Sequence, residues 1–230
     1  MLSQGCSEGQ GDLHCLPTPK GLTSSKNTST LRVMLVASGT IPELVKTFAE
    51  LVAKGEIEVY NEFSLQHELG ILLRQRFPEN RVQFERNVSH FSMPKKNFTK
   101  KEIDISVFSP DMTDLLCAIE LKYPRNGQYP EQMYSFCKDL AFTEELKASG
   151  FRQAFVIIFA EDYLFYEGAG DGIYGYFRAG KELHGPVTKP TGKKDSQIFI
   201  KGRYVVQWVP IYSGLKYTLI EVTSGRQDCK

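Results

Sequence analysis

The sequence predicts an α/β domain built on a mixed central sheet with helices on both faces, and three observations predict it. Two strand patterns adjoin, Glu102 to Phe108 and Leu115 to Lys122, joined by the short turn Ser109 to Asp114. The run Gln153 to Ala160 is continuously β-branched and aromatic, as in a strand covered on both faces by helices. Apolar residues at helical spacing precede the first pair of strands and separate it from the third, so the chain reads helix, strands, helix, strand.

Taken in order, residues 1–30 are rich in Ser, Gly, Thr, Gln and Pro with no helix or strand period, and are expected to form a flexible leader. His14-Cys15 within them could ligate a metal only with partners from elsewhere, and a loose tail is the simpler reading. Leu31 to Ala37 has strand-like composition but would equally begin a helical hairpin. Thr40-Ile-Pro-Glu opens a helix with an N-cap and an early proline, and Gly55 closes it, which makes 31–60 an N-terminal helical region. A second helix runs from Asn61 to Arg76 and stops before Pro78. In it Glu68 stands among Leu65, Leu69, Ile71 and Leu72, where a carboxylate either serves a site or bridges at the rim to an arginine such as Arg74.

Arg81 to Ser89 is a first strand, and the loop from Met93 to Lys101 carries Lys95, Lys96, Lys100 and Lys101. Such a loop is ordinarily a solvated one, yet beside carboxylates it could track a phosphate backbone. After Lys122 the segment Tyr123 to Pro130 breaks regularity and brings Arg125, a second phosphate-contact candidate. A helix from Glu131 to Ser149 and the strand Gln153 to Ala160 complete a core over 61–160. In 161–230, Tyr163 to Gly185 reads as a Gly- and aromatic-rich loop, and Gly168 to Gly172 lacks the strand-turn-helix context of a dinucleotide fingerprint. Gln197 to Lys201, Tyr204 to Val209 and Leu215 to Val222 then read as strands that extend the sheet or form a small β-appendage of the same domain.

Composition narrows the function classes. The 230 residues, 41% of them hydrophobic, are enough for a sizeable core. A net charge of +1 gives no bulk attraction to nucleic acid, so any such binding must come from local basic patches. The five cysteines form no Cys-x-x-Cys and argue against a zinc site; Cys117 and Cys137 fall in apolar segments and are expected to be buried free thiols. No apolar run reaches the length of a membrane span and the N-terminus lacks a secretory pattern, so a cytoplasmic protein without a membrane partner is expected.

Strand alternation places Glu120 and Lys122 on one face of their strand, with Ile119 and Leu121 on the other. On the preceding strand Ile103, Ile105 and Val107 share a face, which leaves Asp104 on the face of Ser106 and Phe108. If the apolar faces align, Asp104 lies beside Glu120 and Lys122. Charges at a core are seldom kept without a partner or a metal.

Asp104 followed by Glu120-Leu121-Lys122 at the end of an apolar strand resembles the PD-(D/E)xK nuclease superfamily, with Ile103 where a proline often stands. The resemblance covers 61–160 and implies a restriction-endonuclease-like fold and a metal-dependent nuclease, acting on DNA first among nucleic acids. It implies Mg²⁺, or Mn²⁺ in its place, on Asp104, Glu120 and the carbonyl of Leu121. Lys122 would steady water or phosphate, and Glu68 would lie near the metal as a further catalytic residue. It also offers Gln132 on the later helix as a lining residue, while Asp139 on the same face reads as structural. Double-strand cutting would further ask for a homodimer. A rival reading keeps the fold as a catalytically inactive module that binds nucleic acid or protein.

Overall fold

The computed structural model describes residues 39–125, 127–192 and 196–223. The leader, the Leu31 to Ala37 segment and Lys193-Lys194 lie outside the described residues. Helix α1 (Ile41–Ala53) opens on a capping box, in which Glu43 N–H donates to Thr40 Oγ1 at 3.4 Å and Thr40 N–H to Glu43 Oε2 at 2.6 Å. Helix α2 (Glu62–Arg76) is capped the same way by Asn61 and Ser64, at 2.8 and 3.0 Å. It ends at Phe77, because the residue before a proline is kept out of the helical region.

Strands β1 (Arg81–Asn87), β2 (Glu102–Phe108) and β3 (Leu115–Lys122) form an antiparallel meander. Helix α3 (Tyr129–Ala148) then crosses one face and delivers β4 (Gln153–Ala160) parallel to β3. A 3₁₀ turn at Tyr163–Phe165 and a short helix α4 (Tyr174–Arg178) lead to β5 (Leu183–Thr188) and β6 (Gln197–Tyr204), which pair as a separate two-stranded sheet. The chain returns through β7 (Val209–Tyr212) and β8 (Leu215–Glu221), giving a central order β1-β2-β3-β4-β8-β7.

This is a mixed six-stranded sheet in an α/β domain, with α1 and α2 on one face and α3 on the other. Leu44, Phe48, Leu65 and Leu69 pack on Ile105, Ile119, Leu121 and Phe155. On the opposite face Met133, Phe136 and Leu140 of α3 meet Val156, Ile158 and Ile220. Each such buried side chain contributes roughly 1.5–3 kcal/mol. Cys117 and Cys137 are buried free thiols whose burial raises their pKa.

Several boundaries differ from expectation. The Tyr163 to Gly185 stretch is not one loop, since hydrogen-bonded turns, α4 and the start of β5 occupy it. Of the C-terminal strands, β7 and β8 join the central sheet, and β5 with β6 makes the appendage. Ile103, expected in the row of Ile105 and Val107, packs instead with Val88, Met93 and Phe142; its ladder partner Arg86 follows Glu85, which has a φ of 50°. No helix among the described residues is long and apolar enough to cross a membrane.

Candidate active site

The register that sets Ile105 opposite Ile119 carries one residue further to bring Asp104 beside Glu120. Asp104 N–H donates to Glu120 Oε1 at 3.3 Å, and Leu121 N–H donates to Asp104 Oδ2 at 2.7 Å. Both carboxylates are buried, Glu120 completely and Asp104 to 8% exposure. From α3 above them comes Asp139, also buried.

Two ammonium groups answer these acids. Lys100 Nζ contacts Glu120 Oε2, lies 2.9 Å from Asp139 Oδ1 and 3.8 Å from Asp104 Oδ1. Lys122 Nζ reaches Asp139 Oδ2 at 3.6 Å and Glu62 Oε1 at 3.3 Å, and donates to its own neighbour's carbonyl, Leu121 O, at 2.8 Å. Glu62 Oε2 also accepts from Tyr123 N–H at 3.2 Å. Four carboxylates, three of them buried, therefore face two cations.

The titration behaviour follows from burial first and from the neighbouring charges second. Burial pushes Asp104 up to about 6, opposed by the charges of Lys100 and Lys122. Burial and then the nearby Asp104 hold Glu120 well above the usual carboxylate range. For Lys122 burial acts downward, but Asp139, Glu62 and Asp104 outweigh it and raise the pKa, so the group is a cation at neutral pH. The same balance, with Glu120 as the foremost partner, raises Lys100.

The structure thus brings Asp104, Glu120, Leu121 O and Lys122 together and separates the other candidates. Glu68 is not at the site: its carboxylate lies 3.2 Å from His67 Nδ1 on a partly exposed face. At about 100° per residue, Glu68 is turned about 120° from Glu62, and it is Glu62, its side chain 44% exposed, that reaches Lys122, with Gln66 at Asp104. Gln66 Nε2 donates to Asp104 O at 2.8 Å and to Glu85 Oε1 at 2.7 Å. Lys100, expected as a surface phosphate contact, is locked into the acid cluster by Glu120, Asp139 and Asp104, its ammonium 5.7 Å from the centre of the Phe142 ring. Lys95, Lys96 and Lys101 are exposed and make no ion pair among the described residues. Arg125 is exposed and donates to Tyr60 O. Gln132 is half-buried on the face of Asp139, two turns before it, and its side chain has no hydrogen bond among the described residues.

Sequence reasoning missed Glu62 and took Asp139 as structural. The signal for Glu62 was its spacing of three and four residues from Leu65 and Gln66; for Asp139 it was an acid on the sheet-facing side of α3 with no basic residue one turn away.

Among the described residues no group of three or more His, Cys, Asp and Glu side chains is arranged to hold a metal ion, and Lys100 Nζ stands at the centre of the three buried acids. Their chemistry nevertheless suits a hard divalent cation. All the donors are oxygens, negative charge is in excess, and Asp139 Oδ2 is buried without a hydrogen-bond donor. In comparisons with known proteins the chain matches no protein-family model, no curated protein and no solved structure.

Proposed function

We propose that the chain is a metal-dependent nuclease of restriction-endonuclease-like fold, hydrolysing phosphodiester bonds of nucleic acid at the Asp104, Glu120 and Lys122 cluster. The observation that carries this reading is the convergence of an acid from each of two adjoining strands with the lysine two residues beyond the second acid. The strand order and the α3 crossover agree with it.

Asp104, Glu120 and the carbonyl of Leu121 would hold Mg²⁺ or Mn²⁺, with Asp139 beside them. Bound there, the cation supplies charge neutralisation for the pentacovalent transition state and acidifies a water. The chain's own residues do the rest. Leu121 N–H and Gln66 hold the Asp104 side chain and backbone in place. Lys122, kept cationic by Asp139 and Glu62, places positive charge by the phosphate and orients water rather than removing its proton. Lys95, Lys96 and Lys101 offer exposed charge for the phosphate backbone, with DNA as the first substrate to assay.

One observation favours a second reading, an inactive module that binds nucleic acid or protein. Lys100 already neutralises the acids from within, as a permanent internal counter-ion would. Incubation with DNA or RNA in Mg²⁺ or Mn²⁺ separates the two. The nuclease reading expects cutting that falls at least about a thousandfold in Asp104→Ala and Lys122→Ala, a loss of about 4 kcal/mol of transition-state stabilisation. Cutting retained in both folded variants overturns it.

A further inference from the structure

A second feature lies three residues beyond Lys122. The C-terminal ends of the parallel neighbours β3 and β4, where open α/β sheets bind their ligands, lead into Arg125 and Glu161. These two side chains line an open cavity of about 520 Å³, together with Glu58, Ile57 and Tyr60 from the α1–α2 connection and Tyr212 from β7. Its volume falls within the roughly 300–1,000 Å³ of small-ligand sites.

The lining has a particular chemistry. Tyr60 and Tyr212, from different elements around one hollow, are 57% and 45% exposed. Glu58 and Glu161 make no ion pair among the described residues; both present carboxylate acceptors, Glu161 with the Tyr123 hydroxyl already beside it. Arg125, its guanidinium steadied by Tyr60 O and 5.9 Å from the centre of the Tyr123 ring, presents donors. Flat faces to stack on, acceptors for ring and amino N–H groups, and a donor fork for carbonyl and ring nitrogen atoms together describe a nucleobase.

We propose that this cavity receives one unpaired nucleobase of the strand engaged at the acid cluster, so that the protein acts on single-stranded or locally opened nucleic acid. The inference rests on the nuclease reading for its substrate class. A base held in a duplex cannot enter, because its edge and both faces are already occupied.

The test uses the full chain in EDTA, with a fluorescent mixed-sequence DNA oligonucleotide either single-stranded or annealed to its complement. Wild type should bind the single strand more tightly than the duplex. Tyr60→Ala and Tyr212→Ala should each weaken single-strand binding about tenfold, the effect of one lost stack, and leave duplex binding unchanged; Tyr60→Phe should keep wild-type affinity. Should an alanine variant unfold, Tyr60→Leu, which keeps apolar cover without an aromatic face, carries the same expectation. Equal binding of both forms by wild type, or single-strand binding unchanged in the tyrosine variants, overturns the proposal. Failure of the nuclease reading looks different: wild type would then cut nothing in Mg²⁺ while its single-strand binding still depended on Tyr60 and Tyr212. Conversely, cutting that is lost in Asp104→Ala but indifferent to both tyrosines removes the base pocket alone.

Discussion

Helix α3 carries two buried carboxylates little more than a turn apart, and they live differently. Glu144 is fully answered. Its oxygens accept from Lys201 N–H at 2.9 Å, Gly202 N–H at 2.6 Å and the Tyr204 hydroxyl at 3.0 Å, which fastens β6 to the helix. Asp139 receives no neutral donor to its side chain. It shares two lysines with Asp104, Glu120 and Glu62, and one of its oxygens has no hydrogen bond at all. A carboxylate used to hold a fold is surrounded by donors that cannot leave. Asp139 is balanced instead by two lysine ammonium groups that it shares with three other carboxylates.

The comparison can be broken by stability measurements. Glu144→Ala leaves two backbone N–H groups and a buried hydroxyl without their acceptor and should cost about 3–5 kcal/mol in urea unfolding. Asp139→Ala removes a surplus negative charge and should cost about 1 kcal/mol or less. Equal losses would show that both acids are structural.

A pH series sharpens the same contrast. Asp104 is raised from 3.8 to about 6 in the folded chain, so between those values the folded state keeps a proton that the unfolded state has lost. Its contribution to stability is therefore greatest below pH 3.8, declines as pH rises through the window by about 3 kcal/mol, and is flat above it. Wild type measured against Asp104→Asn from pH 4 to 7 should show this decline, and parallel curves would contradict it. The smallest effect belongs to Glu68→Ala, which should leave nucleic-acid cutting within about twofold and stability within about 0.5 kcal/mol of wild type.

Much of this site was legible in the sequence because strand alternation has a fixed period. Glu102 to Phe108 and Leu115 to Lys122 are strands with the boundaries their patterns imply, and the register that pairs Ile105 with Ile119 follows from matching apolar faces. Helical faces were read less well. On α2 the apolar stripe is broad, with Leu65, Leu69, Leu72 and Leu73 all buried, so an acid at either edge looks alike, and only Glu68 was singled out. Lys100 was misread for a different reason: local sequence shows a run of lysines, and only the folded loop shows which of them turns inward. The β5–β6 pair was only half visible, since β5 contains a glycine and a proline, Gly185 and Pro186, that weaken any strand pattern.

On the nuclease reading, the buried acids at the end of β3 accept a divalent cation. Calorimetric titration of Mn²⁺ into the metal-free chain addresses it without any substrate. The account predicts one site per chain, lost in Glu120→Gln and in Asp104→Asn and retained in Glu68→Gln; absence of binding, or binding that survives the first two changes, contradicts it.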